Sequence, residues 1–127
     1  MINTKVATLN VKIKTFFFRY IEFLKPFHKL SPQQCNVLAL LLYYHYKFSK
    51  EITNNKVLWK EVFDYDTKQL IIDELNISVA QIENILTQLR KKNVIIDKHI
   101  SEVYIPNLKN DSKTFSITYN FNIIYEK

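Results

Sequence analysis

The chain has 127 residues, of which 47% are apolar and 24% charged, a size and composition typical of one globular domain. The single cysteine excludes an internal disulfide and a cysteine-based zinc site, and the absence of glycine excludes a glycine-rich phosphate loop. No apolar run approaches the roughly 20 residues that cross a membrane, and the first residues show no signal-peptide pattern, so we expect a reducing cell interior and no membrane partner.

The net charge of +6 is unevenly distributed. Residues 1–29 carry six cations and one anion, whereas residues 30–89 carry five cations and seven anions. Arg90-Lys91-Lys92 then forms a tribasic cluster. A basic excess of this kind favours an anionic partner such as nucleic acid without proving one.

The first 29 residues are predicted to form a basic, aromatic arm with a helix, ahead of a domain that covers residues 30–127. Apolar residues recur at helical spacing from Val11 to Phe27, and Pro26 is expected to end or bend this helix. The stretch contains more aromatic residues than one buried face requires: Phe16, Phe17, Phe18 and Tyr20. We expect these four either to cover the domain's own core or to form a protein interface.

Three later helices share one start signal, in which a capping residue is followed three positions later by glutamine. The predicted capping residues are Ser31, Asp66 and Ser78, which places the helix starts near residues 32, 67 and 79. In each case an apolar residue precedes the cap and another follows at the fourth helical position, as in a hydrophobic staple.

The lengths of these helices follow from their apolar patterns. The first is predicted to run to about Phe48 and is apolar almost all round, which is typical of a central buried helix. The second is expected to end near Asn76 and the third near Lys92. A weaker helix is predicted over residues 54–64.

After Asn93 the pattern changes to that of strands. Val94-Ile95-Ile96 and Val103-Tyr104-Ile105 are short β-rich runs, and residues 114–124 alternate between apolar and polar for part of their length. A polar, turn-rich loop separates the last two. The sequence therefore predicts an α+β, mainly α fold that ends in a β-hairpin.

The order of helix, Asn-centred turn, helix and hairpin resembles the winged helix-turn-helix. The resemblance is carried by residues 69–78 and by Leu89-Arg90-Lys91-Lys92-Asn93-Val94-Ile95, and it extends over about residues 30–123. Asn76 and Asn93 stand where that family usually has glycine, because asparagine also tolerates a positive φ. The resemblance implies a winged-helix domain with an extra N-terminal helix.

A second resemblance concerns the source of the chain. The stretch from Phe63-Asp64-Tyr65-Asp66 to Lys92, together with Ile105-Pro106-Asn107 and residues 115–121, looks like small winged-helix proteins of tailed bacteriophages, including crAss-like phages. This resemblance implies a phage protein of the host cytoplasm or of the virion. It leaves open whether the protein binds DNA or forms part of the particle.

If the domain binds duplex DNA, the helix that begins after Ser78 is expected to enter the major groove through its N-terminal half. The exposed candidates for base contacts are Gln81, Asn84 and Gln88, with Thr87 on the flank. Asparagine and glutamine suit this role because both can pair bidentately with adenine. Phosphate contacts are expected from Arg90, Lys91 and Lys92 and, in the wing, from Lys109 and Lys113.

Other features of the same region favour a protein partner. Residues 66–89 carry four acidic side chains against Lys68 alone, which is unfavourable for a surface that meets a polyanion. The polar residues of the third helix could also be an ordinary solvated face, and the tribasic cluster could simply complement a helix C-terminus.

Two functions therefore remain open, both without catalysis. One is a DNA-binding protein of phage transcription or replication. The other is a structural or adaptor component of the virion, such as a capsid, neck or ring protein, that packs against other phage proteins. In either case we expect a homo-oligomer with no cofactor, since His28, His45 and His99 lack metal-ligand spacing and no catalytic constellation is recognisable.

Overall fold

The computed structural model describes residues 4–108 and 113–126. The helices of these residues are α1 (Ile13–Phe23), α2 (Lys25–His28), α3 (Pro32–Ser49), α4 (Asn55–Val62), α5 (Tyr65–Leu75) and α6 (Val79–Lys91). After them come strands β1 (Ile95–Ile96) and β2 (His99–Ile100) and a 3-10 helix, Glu102–Tyr104. The fold is mainly helical with a small antiparallel sheet, which confirms the predicted class at that level. None of the described helices is both long and apolar enough to cross a membrane.

The core forms around α3, which contacts α1, α4, α5 and α6. Its residues from Val37 to Leu42 are all buried, as its apolar pattern predicts. The helix begins at the predicted cap: Ser31 Oγ accepts the N–H of Gln34, and the Gln34 side chain accepts the N–H of Ser31. This capping box satisfies two backbone donors that the first turn would otherwise leave free.

The segment before α3 folds onto it. Phe17 and Ile21 of α1 are fully buried in the core. The predicted interruption by Pro26 is present, but the helix breaks at Leu24, and Pro26 lies in the first turn of α2, where its missing N–H is not needed.

α5 and α6 are joined by a tight turn. Asn76 has φ 53° and ψ 51°, the left-handed conformation predicted for it, and the N–H of Ile77 donates to the carbonyl of Ile72 at 3.2 Å. Ser78 then caps α6 in a capping box with Gln81, so the predicted start of this helix is also confirmed.

The start predicted for α5 is wrong. The helix begins at Tyr65 rather than after Asp66. Its N-cap residue is Asp64, whose side chain makes no capping hydrogen bond. Thr67 explains the shift: it is buried, and its hydroxyl donates to the carbonyl of Glu61 in the last turn of α4 at 2.8 Å. This bond draws the residues before Thr67 into the first helical turn.

Two residues after the end of α6, a residue in the left-handed conformation turns the chain toward the hairpin. Asn93 has φ 60°, and the N–H of Val94 donates to the carbonyl of Leu89 at 2.9 Å. These contacts form a Schellman motif. β1 then pairs with β2 in antiparallel fashion, with Ile95 opposite Ile100.

The turn between the strands consists of Asp97 and Lys98, both with positive φ (49° and 67°). These values are those of a type I′ turn, whose twist matches that of the paired strands.

The other two predicted strands are corrected by the structure. Residues 103–105 do not form a strand, because Val103 and Tyr104 belong to the 3-10 helix. Residues 114–124 form no strand within the described chain. Their alternation has another cause: Phe115, Ile117 and Tyr119 are half-buried and pack on the helical domain, while the residues between them are exposed.

Candidate nucleic-acid interface

The candidate surface is the exposed side of α6 and the residues that follow it. Ile82, Ile85, Leu86 and Leu89 face the core, so the stripe that contains Asn84, Thr87 and Lys91 faces solvent. Gln81 and Gln88 lie on one flank of this stripe. The predicted exposure of Gln81 and Asn84 is therefore confirmed, whereas Gln88 is half-buried and Thr87, expected on the flank, lies in the exposed stripe.

Gln81 is occupied in part by its role as a cap. Its side-chain oxygen accepts the N–H of Ser78 at 2.8 Å, while the Ser78 hydroxyl accepts the N–H of Gln81 at 3.1 Å. A bidentate contact to adenine requires both the oxygen and the NH₂ of the amide. Gln81 could make such a contact only at the expense of its capping bond.

Gln88 is also engaged, within a group that we call the Gln34 cluster (Ser31, Gln34, Gln88 and Lys92). The Gln34 amide nitrogen donates to Gln88 Oε1, and Gln34 Oε1 accepts from Lys92 Nζ and from the N–H of Ser31, both at 3.1 Å. Gln34 is itself buried. The cluster therefore fixes the C-terminal half of α6 to the start of α3.

Asn84 and Thr87 remain in the centre of the exposed stripe. The Thr87 hydroxyl donates to the carbonyl of Glu83 at 2.9 Å, which leaves its oxygen free to accept. Asn84 is exposed and makes no side-chain hydrogen bond to the described residues. Among the four predicted base-contacting residues, Asn84 is thus the one whose whole amide is available.

The basic residues continue this stripe at its C-terminal end. Arg90, Lys91 and Lys92 are all exposed, and no carboxylate of the described chain pairs with them. Lys113 is exposed, whereas Lys109 lies outside the described residues.

Sequence reasoning did not single out two further exposed lysines, Lys98 and Lys25. Lys98 is exposed at the tip of the hairpin. Burial is the main cause that lowers the pKa of the His28 imidazole. A hydrogen bond to the Ile21 carbonyl acts in the opposite direction, and the charges of Lys25 and Lys92 lower the pKa further.

Of the four acidic residues counted against this surface, two pair with cations. Glu74 pairs with Lys14 of α1, Glu83 pairs with Lys68 at 3.1 Å, and Asp73 accepts from the Gln69 amide. Asp73 keeps its charge because the Gln69 amide is neutral, and Asp66 makes no ion pair within the described residues, so only two of the four negative charges are offset.

The four predicted interface aromatics lie mainly within the chain's own core. Phe17 and Tyr20 are buried, while Phe16 and Phe18 are half-buried. Phe16 and Tyr20 both pack against Phe115, with ring centroids 5.4 and 5.7 Å apart. In this structure the aromatic run thus covers the domain's own core, the first of the two alternatives.

Two further titratable side chains, His45 and Cys35, pack within the fold. His45 stacks on Trp59 at 4.1 Å between ring centroids, and burial lowers its pKa. Cys35 is buried, which raises the pKa of its thiol. Across residues 4–108 and 113–126, no three His, Cys, Asp or Glu side chains come together as metal ligands.

Comparisons with protein-family models, with curated proteins and with solved structures found no match. The region formed by Asn84, Thr87 and the basic end of α6 is the candidate with the clearest chemistry, because it combines an exposed amide, an available hydroxyl and cations without carboxylate partners.

Proposed function

We propose that the chain is a winged helix-turn-helix DNA-binding module of phage origin that acts in transcription or replication. In this proposal α5 and α6 are the helix-turn-helix, and β1 and β2 form a short wing. The tight turn at Asn76, the capped start of α6 and the hairpin directly after α6 support the assignment. The assignment of function to this fold is by analogy, since one fold serves many functions.

The observation that carries the proposal is the continuity of the α6 stripe. The polar surface around Asn84 and Thr87, which is flanked by the exposed ion pair of Glu83 with Lys68, leads to Arg90 and Lys91, which no described carboxylate neutralises. A groove-binding helix needs this arrangement, because polar side chains face base edges while cations lie near the phosphates that flank the groove.

The same geometry indicates how the domain would divide its contacts. Gln81 and Gln88 are engaged by Ser78 and Gln34, so Asn84 is the main candidate for a base contact. Most of the affinity would then come from phosphate contacts, which carry no sequence information directly. We therefore propose binding with strong salt dependence and modest sequence preference.

Duplex binding measured by fluorescence anisotropy over a range of salt concentrations tests this proposal. The double variant Arg90→Ala, Lys91→Ala should weaken binding and reduce the slope of log K against log [salt] by about 1.8, since each phosphate contact contributes roughly 0.9. Lys92 is left intact because it bonds to Gln34.

The matched control removes two other exposed cations, Lys56→Ala and Lys60→Ala of α4, and therefore changes the net charge equally. This control should retain the wild-type slope. No duplex binding by the wild-type chain at low salt would refute the proposal, and equal slopes for both double variants would remove α6 from the contact surface.

One observation favours the second function, a structural or adaptor component of the virion. The segment formed by residues 120–125, which we call the outer segment, exposes Phe121, Ile123, Ile124 and Tyr125. Exposed apolar surface of this kind marks protein interfaces. Mass spectrometry of purified phage particles tests this function: stoichiometric amounts of the chain would support it, and absence from particles would exclude it.

A further inference from the structure

We infer that the outer segment binds a second copy of this chain, on the exposed end of its α1–α2 surface. The two surfaces involved are both apolar and both lie open in the single chain. This inference is independent of the proposed function, because it concerns a different face of the molecule.

The receiving surface is an aromatic stripe along α1 and α2, formed by Phe16, Tyr20, Phe23 and Phe27. Phe16, Tyr20 and Phe23 are three or four residues apart, which places them on one side of α1, and Phe27 follows in α2 after the break at Leu24. Phe16 is half-buried and Tyr20 is buried, but Phe23 and Phe27 are 49% and 68% exposed. The stripe is thus covered at its start and, although Tyr119 stacks on Phe27, exposed at its end.

The chain itself shows what this stripe binds. Phe115 packs on Phe16 and Tyr20, and Tyr119 stacks on Phe27 with ring centroids 5.9 Å apart. An extended segment with apolar residues at every second position therefore already lies along the stripe. The segment runs in the same direction as α1 and α2, since its earlier aromatic residue contacts α1 and its later one contacts α2.

The outer segment continues this alternation beyond the last contact. Phe121 and Ile123 are 84% and 69% exposed, and the neighbouring Ile124 and Tyr125 are 89% and 84% exposed. Residues 120–125 contain no charge, although a quarter of the chain is charged and its net charge is +6. When this segment binds a second copy, it therefore places no charged side chain beside the second copy's cations.

A second copy of the chain provides a partner both for the aromatic stripe and for the outer segment. Each chain has one open aromatic surface and one open apolar segment, so a two-fold axis allows each segment to cover the other chain's surface. Such reciprocal contacts close into a dimer.

The area available is sufficient for a stable interface. Each aromatic side chain buries about 150–250 Å². Phe121 and Tyr125 are each 84% exposed and Phe23 and Phe27 49% and 68%, so these four side chains from two copies offer roughly 850–1,400 Å², which overlaps the lower end of the about 1,200–2,000 Å² of specific interfaces.

Sedimentation velocity of the whole chain between about 1 and 100 μM tests the inference. The wild-type chain should form a dimer in this range. The double variant Phe121→Ser, Ile123→Ser should weaken association by at least about 100-fold, because four apolar side chains leave the interface of the dimer. A circular-dichroism melt should show that this variant is still folded, since both residues are exposed in the single chain.

The matched control is Val57→Ser, Val103→Ser, which removes two exposed apolar side chains from elsewhere on the surface. This control should dimerise as the wild type does. A monomeric wild-type chain at the highest concentration, an assembly larger than a dimer, or equal weakening by both double variants would overturn the inference.

Cross-linking tests the receiving surface directly. One chain carries Phe27→Cys, a second, isotopically labelled chain carries Phe121→Cys, and the native Cys35 is buried. On mixing under mild oxidation, the two chains should form a mixed-mass disulfide dimer, whereas a labelled Val103→Cys chain mixed with the Phe27→Cys chain should not. Equal yields from both mixtures would overturn the assignment of this surface.

Discussion

Replacement of Gln34 by alanine removes the centre of the Gln34 cluster and should destabilise the protein more than any other single polar substitution described here. The Gln34 amide makes three bonds: it accepts from the Ser31 N–H and from Lys92, and it donates to Gln88. Two of these contacts join α3 to α6, so the substitution perturbs a tertiary contact as well as a helix cap.

The magnitude follows from the number of bonds. A hydrogen bond contributes a net value of about 0.5–1.5 kcal/mol, and the loss of all three should lower the free energy of unfolding by roughly 1.5–4.5 kcal/mol. Water can reach the freed groups of Lys92, which is exposed, so the lower half of this range is favoured. For a chain of 127 residues, each kcal/mol corresponds to roughly 4 °C in Tm.

Urea unfolding followed by circular dichroism measures this change. Gln34→Glu is the informative control, since a carboxylate still accepts from Ser31 and Lys92 but cannot donate to Gln88. We expect it to lose only about 0.5–1.5 kcal/mol, the value of one bond. A Gln34→Ala variant within about 0.5 kcal/mol of the wild type, the scatter of ordinary surface substitutions, would refute the role of this cluster.

Two further predictions concern His28 and Asn76. His28 donates through Nε2 to the Ile21 carbonyl and accepts the Leu30 N–H at Nδ1, so the fold requires a neutral ring, in agreement with its lowered pKa. Below about pH 6.5 the unfolded chain takes up a proton at His28 more readily than the folded protein does. The free energy of unfolding should therefore fall from pH 7.5 to 5.5. Measurements of Tm against pH should show a flatter profile for His28→Gln. Asn76→Val should lower the free energy of unfolding by about 1–2 kcal/mol, whereas Asn76→Gly should be neutral or stabilising, as measured by urea midpoints; equal effects would refute the left-handed turn.

The features predicted correctly from the sequence depend on local chemistry. Ser31 and Ser78 cap their helices through a glutamine three residues on, and Asn76 and Asn93 adopt positive φ. Each signal acts within one helical turn, so a short window of sequence contains all the residues involved.

The errors arise where distant residues decide the structure. Thr67 bonds to α4 and moves the start of α5, although Asp66 has the spacing of a cap. The alternation after Thr114 is satisfied by the side of α1 rather than by a neighbouring strand, since an apolar face at every second residue suits either partner.

The hairpin was only half predicted. β2 was missed because its turn, Asp97-Lys98, lacks the Asn-Gly or Asp-Gly pair that usually marks a type I′ turn. The strands also have only two residues each, too few for a periodic pattern.

In the candidate site, too, local patterns were predicted and contacts between distant residues were not. Periodicity identified the exposed face of α6, but the engagement of Gln88 by Gln34 depends on the packing of α6 on α3. The pairing of Glu74 with Lys14 joins residues 60 positions apart and was equally beyond local reasoning.

A titration of the isotopically labelled protein with a short duplex, followed by amide chemical shifts in NMR spectra, tests the proposed DNA contact most directly. If α6 and the hairpin meet the duplex, the largest shifts should fall on residues 80–92 and 95–100 and should diminish with added salt. Shifts confined to α4 or to residues 120–125, or no shifts at low salt, would contradict the proposed surface.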